Sequence, residues 1–188
     1  MIEQTANLTN QFLVAMPGLA DPIFAKTVTY MCQHSADGAL GIIVNRPSDL
    51  TLGEVMEQMN IAVQQSAIEQ MRVYFGGPVH RERGFVLHEP GGTWDSTMQV
   101  SDSISLTTSR DILEAIGSGE GPSRVLVALG YAGWGQGQLE KEIIENSWLN
   151  VPADLSIIFD HPANHRWRAA AESMGVDIAM LSPSAGHA

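Results

Sequence analysis

Short apolar runs separated by turn residues fill the first fifty positions of the chain. The runs at 12–16, 26–34 and 39–45 contain many β-branched, aromatic and other apolar residues, which predicts three strands. The run at 39–45 has almost no polar alternation, as is typical of a strand that is buried on both faces.

A helical spacing replaces this pattern near residue 51. Apolar residues recur at positions 52, 55, 56 and 59, which is the spacing of one helix face. Thr51 and Glu54 have the spacing of a capping box, so we predict a helix with Thr51 as its N-cap.

Short strand-like segments fill the middle of the chain, and strands alternate with helices at its end. Turn residues separate the segments at 72–76, 84–89, 97–101 and 103–107, which predicts an antiparallel substructure within 72–107, followed by a helix at 109–116. The last third is interpreted as a strand at 124–129, a helix at 138–148, a strand at 155–159 and a helix at 163–174. This order predicts one βαβ crossover and a further helix.

These elements predict a single compact domain over residues 1–188, with 1–10 and 182–188 as loose tails. The expected fold class is α+β with α/β-like features. It has a large mixed β-sheet flanked by helices and includes the βαβ crossover in the C-terminal third.

The excess of acidic residues excludes some classes of binding partner. The chain has 21 acidic and 10 basic residues, for a net charge of −11, so we expect no direct binding of duplex DNA and no binding to an anionic membrane. The N-terminal segment lacks the basic region of a signal peptide, and the apolar runs are too short to cross a bilayer. We therefore expect a cytoplasmic protein.

Four glycines between residues 130 and 137 resemble a phosphate-binding loop. From Gly133 or Gly135 the dinucleotide fingerprint fails, because its sixth position is not glycine. A P-loop fails too, because Gln and Gly occupy the positions of its Lys and Ser/Thr. We predict no cofactor and interpret the glycines as a turn that lets Tyr131 and Trp134 pack closely.

Two pairs of reactive side chains were candidates for chemistry. Cys32 and His34 share one face of a predicted strand, but their apolar neighbours favour a core cysteine over a catalytic pair. His161 and His165 have the spacing of a zinc pair, but Pro162 favours a helix start that separates them, so no metal site is predicted.

A basic segment follows the "GGPVH" motif, where Arg81 and Arg83 flank Glu82. One interpretation is a solvated turn with local ion pairs. The other is that Arg46, His80 and Arg81 meet in a groove that binds an anion or an acidic partner peptide.

The strand order predicts a place for a ligand site. Ligands bind beyond the carboxyl ends of parallel strands, so the strands at 39–45, 124–129 and 155–159 would bring their following loops to one edge. We hypothesise that one concave surface there recognises a small polar or anionic group, and that it contains Asn45, Arg46, Tyr131, Trp134, Gln138 and His161.

Four blocks of the chain, in order, resemble the AlgH/YqgE family of bacterial proteins. They are 12–47 (with "NRP"), 73–88 (with "GGPV"), 129–149 (with "GYAGWGQGQLEKE") and 159–175 (with "RW"). The resemblance implies a cytosolic α+β fold with a large mixed sheet. It implies no settled activity. The family label comes from a role proposed in regulating alginate synthesis, and some members carry the name transcriptional regulator.

Three function classes follow. The leading hypothesis is a non-enzymatic regulatory or adaptor domain that binds a small ligand or a partner protein, because no strong catalytic or metal motif occurs. The first alternative is an enzyme, of hydrolase or transferase type, whose site is assembled from scattered polar residues. The second is a transcriptional regulator, for which the net charge disfavours direct DNA binding. A deep pocket with convergent, pKa-shifted groups would favour the enzyme, and a shallow apolar groove the binder.

Overall fold

The computed structural model describes residues 7–178, which form two compact units. Residues 7–45 and 132–178 belong to unit 1, and residues 46–131 belong to unit 2. In chain order, the elements are β1 (Gln11–Ala15), β2 (Val28–Ser35), β3 (Gly38–Ile43), β4 (Pro47–Thr51), α1 (Leu52–Gln58), α2 (Ser66–Glu69), β5 (Arg72–Phe75), β6 (Val79–His88), β7 (Thr97–Gln99), β8 (Ser105–Thr107), α3 (Arg110–Gly117), β9 (Val125–Trp134), α4 (Gln138–Ile144), β10 (Trp148–Pro152), α5 (Leu155–Phe159) and α6 (Arg166–Glu172). The predicted tail at 182–188, and most of the one at 1–10, lie outside the described residues.

Unit 1 is built on an antiparallel sheet. Its strand order is β10-β1-β2-β3-β9, and each neighbouring pair is antiparallel. Apolar residues of β1, β2 and α4 form a core with Trp134 and Trp148, which are 6% and 5% exposed. The two tryptophans are therefore core residues, as large aromatic side chains usually are.

Unit 2 contains the parallel part of the mixed sheet. Its strand order is β4-β5-β9-β6-β8-β7, in which β5 and β9 are parallel and the other pairs are antiparallel. Helices α1 and α3 pack their apolar residues, such as Met56 and Ile112, against Val86 and Val127 of the sheet. The α+β class with a mixed sheet and flanking helices is confirmed.

The helix start predicted at Thr51 is confirmed. The hydroxyl of Thr51 accepts the backbone N–H of Glu54 at 3.3 Å and donates to the Glu54 carboxylate at 3.1 Å. One orphan N–H of the first turn is thereby satisfied, which is the physical role of an N-cap.

The strand predicted at 155–159 is wrong, because these residues form helix α5. Asp154 accepts the N–H of Ser156 at 2.9 Å and so caps a helix start. A short apolar run such as LSIIF does not distinguish a strand from a buried helix. The crossover itself is present: β9 and β10 run in the same direction in the unit 1 sheet, and α4 connects them.

Candidate functional site

The glycine-rich stretch is mostly strand. β9 continues through Gly130 to Trp134, so only residues 135–137 lie between it and α4. Gly130 has φ of 79°, and a Cβ there would collide with the carbonyl oxygen of Gly77. The interpretation of the whole stretch as a turn is therefore wrong. Its glycines allow a left-handed residue and a close backbone approach within a strand.

The helix after this stretch presents a carboxylate to two indoles. Glu142 Oε1 accepts the indole N–H of Trp134 and that of Trp148, each at 3.0 Å. Its other oxygen accepts the side-chain amide of Gln138 at 2.9 Å. The ring of Phe24 contacts both indoles, at 6.3 and 5.6 Å between centroids. We call these five residues the Glu142 cluster. Its two indole N–H groups, the side-chain N–H of Gln138 and both oxygens of Glu142 all have partners.

A second carboxylate of α4 binds the histidine that was a candidate partner of Cys32. Leu8 donates its N–H to His34 Nδ1 at 3.0 Å, so the ring proton lies on Nε2, which donates to Glu140 at 2.6 Å. This hydrogen bond lowers the pKa of Glu140. Cys32 is 2% exposed, and burial raises the pKa of its thiol far above the usual range. Cys32 is therefore a core cysteine, as favoured, and not a thiolate nucleophile.

A buried arginine in unit 1 binds the backbone of the predicted site residue His161 and that of Val44, the neighbour of Asn45. Arg166 is 5% exposed and donates to the carbonyl of Val44 at 2.6 Å and to that of His161 at 2.9 Å. Asn45, next to Val44, uses its side-chain amide to bind the backbone of residues 26 and 28, at 2.9 Å each. These contacts hold the chain after β3 in place, so Asn45 and Arg166 have structural roles.

The predicted common surface rests on three parallel strands, and the structure contradicts two of them. β3 is antiparallel to β9, with Ala39 opposite Trp134, so Trp134 lies beside the N-terminal end of β3 and Asn45 follows its C-terminal end. Residues 155–159 are helical, so no strand delivers His161 to that edge. Within unit 1, Trp134 and Gln138 meet at Glu142, whereas Arg166 links the carbonyl of His161 to that of Val44, next to Asn45.

The remaining predicted residues lie together in unit 2. Arg46 accepts the N–H of Phe75 through its carbonyl at 2.8 Å, and the guanidinium of Arg81 lies 5.2 Å from the centre of the Phe75 ring. The ring of His80 contacts that of Tyr131 at 5.9 Å. The structure thus brings together the residues around the GGPVH motif.

His80 and Arg81 project from an irregular part of β6. Val79 lies opposite Tyr131 and Gly84 opposite Leu129, so β6 has more residues than β9 over this interval. Residues 80–83 are all exposed, and we call this segment the arginine bulge. Arg83 lies 5.9 Å over the ring of Phe85. Within the described residues, neither Arg81 nor Arg83 forms an ion pair with a carboxylate.

Unit 2 also contains a cavity of about 390 Å³ between α1, α3 and the sheet. Its lining is mainly apolar, and the exposed lining residues, which mark its mouth, are the polar Gln58, Glu82 and Arg110. The lining residues are Leu50, Val55, Gln58, Met59, Glu82, Gly84, Val86, Thr107, Thr108, Ser109, Arg110, Leu113, Val127 and Leu129.

A buried histidine lies beside this cavity. His88, which is 1% exposed, donates from Nδ1 to the carbonyl of Glu89 and accepts the hydroxyl of Thr107 at Nε2, both at 2.7 Å. Thr107 in turn hydrogen-bonds Thr97 at 2.8 Å. Burial lowers the pKa of His88, against the opposing effect of the Glu89 carbonyl.

A polar hollow of about 570 Å³ in unit 1 is lined by both histidines of the candidate zinc pair, together with Trp167 and Arg168. His161 uses Nδ1 to bind the carbonyl of Ser156 at 2.9 Å. In the described part of the chain, no group of three or more His, Cys, Asp or Glu side chains is placed to hold a metal ion.

Sequence reasoning did not single out Glu140, Glu142 or Arg166. The only sequence signals for them were the Gln-Leu-Glu-x-Glu pattern that follows the glycines and the late Arg-Trp pair. Neither pattern specifies a partner, because the indoles, the histidine and the carbonyl of Val44 come from distant parts of the sequence.

Comparison with known proteins identifies close relatives over the whole chain. A UPF0301 protein of Methylococcus capsulatus is 64% identical over 96% of both chains, and one of Thioalkalivibrio sulfidiphilus is 57% identical over 98% of both. The solution structure of the AlgH protein from Pseudomonas aeruginosa matches with a TM-score of 0.81 and 46% identity, covering both chains completely. A crystal structure from Corynebacterium diphtheriae, 21% identical, shares the fold with a TM-score of 0.75 over 96% of this chain and 94% of its own.

Between residues 7 and 178, no helix is long and apolar enough to cross a membrane. The family model described as AlgH-like matches residues 12–179. This range includes the Glu142 cluster, the arginine bulge and the cavity. The chain therefore belongs to the AlgH-like family.

Proposed function

We propose that this protein is a non-enzymatic regulatory or adaptor protein whose arginine bulge binds an acidic segment of a partner protein. The observation that carries the proposal is how the side chains of Arg81 and Arg83 are exposed and what they contact. Both side chains are exposed, and each lies over an aromatic ring. Neither pairs with a carboxylate of the described chain.

Unpaired arginines are unusual in a chain with twice as many acidic as basic residues. At a net charge of −11, carboxylates are abundant, so an exposed arginine side chain that can move would be expected to find one. The rings of Phe75 and Phe85 hold the two guanidinium groups by cation–π contact while leaving their N–H edges open. A guanidinium in this state can donate two parallel hydrogen bonds to an incoming carboxylate.

An acidic peptide suits this surface better than duplex DNA does. DNA binding depends on neutralising many phosphates, and the chain as a whole repels a polyanion. A short acidic segment needs only a few local contacts, and it extends less far into the negative field of the protein.

The arrangement of titratable groups favours a binder over an enzyme. Burial and hydrogen bonds shift the pKa values of Cys32 and Glu140 in unit 1 and of His88 and Asp111 in unit 2. Each of these groups binds the backbone or a neighbouring side chain. His88 and Asp111 bind residues beside the cavity of unit 2 but do not line it, and Cys32 and Glu140 do not line the polar hollow of unit 1, whereas an assembled catalytic site would place such groups inside one pocket.

The test is an NMR titration of the labelled protein with a glutamate-rich synthetic peptide and with its glutamine-matched counterpart. We expect the amide signals of residues 79–85 to shift with the glutamate peptide only, and less at high salt. The double variant Arg81→Gln/Arg83→Gln should weaken binding by about tenfold or more.

Arg168→Gln is the matched control, because Arg168 is exposed and its substitution removes one positive charge from unit 1. It should leave the titration almost unchanged. Equal responses to both peptides, or equal losses in the Arg168 and bulge variants, would contradict the proposal.

A further inference from the structure

We propose that the cavity of unit 2 is a second, separate binding site, which takes a small carboxylic acid with an extended apolar body. The inference goes beyond the proposed function, because it concerns a different class of ligand and a cavity whose lining residues, apart from Glu82, lie outside the arginine bulge. It rests on the shape of the cavity, on the distribution of donors around it and on the apolar side chains that it leaves accessible.

The cavity is large enough for a ligand and lined for an apolar one. Its volume of about 390 Å³ lies in the range of small-molecule pockets. Leu50, Val55, Met59 and Leu129 line it and are only partly buried, although they pack against the core of unit 2. Their remaining apolar surface is exposed inside a concave site, where a ligand could remove it from water.

The buried part of the sheet that lines the cavity offers no unused side-chain donor. Thr107 is the polar residue among the buried strand residues of the lining, since Glu82 is exposed, and its hydroxyl already donates to His88 and accepts from Thr97. A polar group placed deep in the cavity would lose its hydration without compensation. The apolar end of a ligand therefore points inward and its polar end lies at the mouth.

The segment before and at the start of α3 brings donors to the cavity. Arg110 is the only cationic residue among the described residues that line it. Its pair with Glu114 is long, at 3.5 Å, and both side chains are about half exposed, so the guanidinium exchanges partners at little cost. The hydroxyl of Thr108 makes no hydrogen bond within residues 7–178. A guanidinium next to an unused hydroxyl is the donor set that a carboxylate requires.

One carboxylate of the lining would repel the carboxylate of such a ligand. Glu82 also lines the cavity, is 74% exposed and lies 3.5 Å from His80. Its repulsion is screened by water at that exposure. The polar end of the ligand is therefore expected at Arg110 and away from Glu82.

One ring of the arginine bulge lies on the opposite face of β6 from the cavity. Val86 lines the cavity, whereas the adjacent Phe85 contacts Tyr131 and Arg83. Successive residues of a strand point to opposite faces. Phe75 is paired with the cavity-lining Leu129 and shares its face, so the two sites are distinguished by their variants, Arg110→Gln and Arg81→Gln/Arg83→Gln.

The experiment is an NMR titration of methyl-labelled protein with octanoate and, in parallel, with 1-octanol. We expect octanoate to shift the methyl signals of Leu50, Val55 and Leu113. Arg110→Gln should weaken octanoate binding about tenfold and leave octanol binding unchanged. Glu82→Gln should strengthen octanoate binding, and Val55→Trp, which fills the cavity, should reduce the binding of both probes.

The double variant Arg81→Gln/Arg83→Gln should bind octanoate as the unmodified protein does, which separates this proposal from the proposed function. Arg110→Gln is an exposed substitution, so its result does not depend on repacking the core. Absence of methyl shifts at millimolar octanoate would overturn the proposal. Octanoate binding that is insensitive to Arg110→Gln would also overturn it.

Discussion

The Glu142 cluster in unit 1 and the arginine bulge in unit 2 both combine charged side chains with aromatic rings, but they differ in what the charges bind. In the cluster, one carboxylate accepts two indole N–H groups and an amide. In the bulge, two guanidinium groups lie over rings without a carboxylate partner among the described residues.

This difference distinguishes a structural role from a binding role in two regions that contain similar kinds of residue. A buried or half-buried polar group with all its partners in the same chain stabilises the fold and offers nothing to a ligand. An exposed charged group without such a partner contributes little to stability and can bind another molecule at little cost. Four predictions test this division, two of them in the two regions and two at His88 and Thr51, whose polar groups have partners in the same chain.

The largest effect is expected from Glu142→Ala. It removes the shared acceptor of Trp134 and Trp148, and hydrogen bonds to a charged group contribute about 1.5 kcal/mol or more each. We expect the free energy of unfolding to fall by about 3 kcal/mol, measured by urea denaturation followed through tryptophan fluorescence. Glu145→Ala, which removes an exposed partner of Lys141 at 4.0 Å, should cost less than about 0.5 kcal/mol. Equal costs would show that the cluster is not a stabilising unit.

The next effect concerns pH. The pKa of His88 is lowered from its ordinary value of 6.5, so below that pH the unfolded chain binds a proton that the folded chain does not. Stability should therefore fall as the pH drops below 6.5, by up to about 1.4 kcal/mol per pH unit, and level off below the folded pKa. The lowered pKa of Glu140 acts at lower pH, because its contribution is lost only below its ordinary value of 4.5.

His88→Gln removes the first of these titrations and keeps a polar side chain. Urea denaturation at a series of pH values should show a smaller loss of stability between pH 6.5 and 4.5 in the variant. Parallel curves for the two proteins would show that His88 is not responsible.

A smaller effect is expected at the cap of α1. Thr51→Ala removes the acceptor of the Glu54 N–H and should lower the free energy of unfolding by about 1 kcal/mol. Thr51→Ser keeps a hydroxyl at this position, so it should retain most of the stability that the cap contributes. Both variants should bind the glutamate-rich peptide normally, because Thr51 lies outside the arginine bulge. An unchanged denaturation midpoint in Thr51→Ala would show that the hydroxyl contributes nothing.

The smallest effect on stability is expected from the bulge itself. Arg81→Gln and Arg83→Gln each remove one exposed cation–π contact, so each should cost about 0.5 kcal/mol. Thermal unfolding of the two variants beside Glu142→Ala measures the contrast directly. A cost near that of Glu142→Ala would assign the bulge a structural role.

Much of the fold was predictable because its signals are local. The strand-forming runs around Phe12, Tyr30 and Ile42 and the cap at Thr51 all depend on residues a few positions apart. The failure at 155–159 is also local, since a five-residue apolar run has too few positions to distinguish the two periods. The candidate site was predicted less well. The groove of Arg46, His80 and Arg81 stays a prediction, although Arg46 and Arg81 both contact Phe75, and the wider surface depended on strand directions that were wrong.

The cavity illustrates what no local pattern encodes. Val55, Thr108 and Leu129 come from three elements, and their residue types alone do not indicate that a space remains between them. Whether apolar side chains fill a core or line a cavity depends on how closely their elements pack.

The sequence by itself determined the class of elements, the helix cap, the failure of both phosphate-binding motifs and membership of the family. The tertiary structure alone decided that β3 runs antiparallel to β9, that Glu142 meets two indoles and that Arg81 and Arg83 lie over rings with no carboxylate partner between residues 7 and 178. The physical reason is the range of each interaction. Side-chain periodicity and capping act over one or two turns of chain, whereas strand direction and charge pairing join residues as far apart as Ala39 and Trp134.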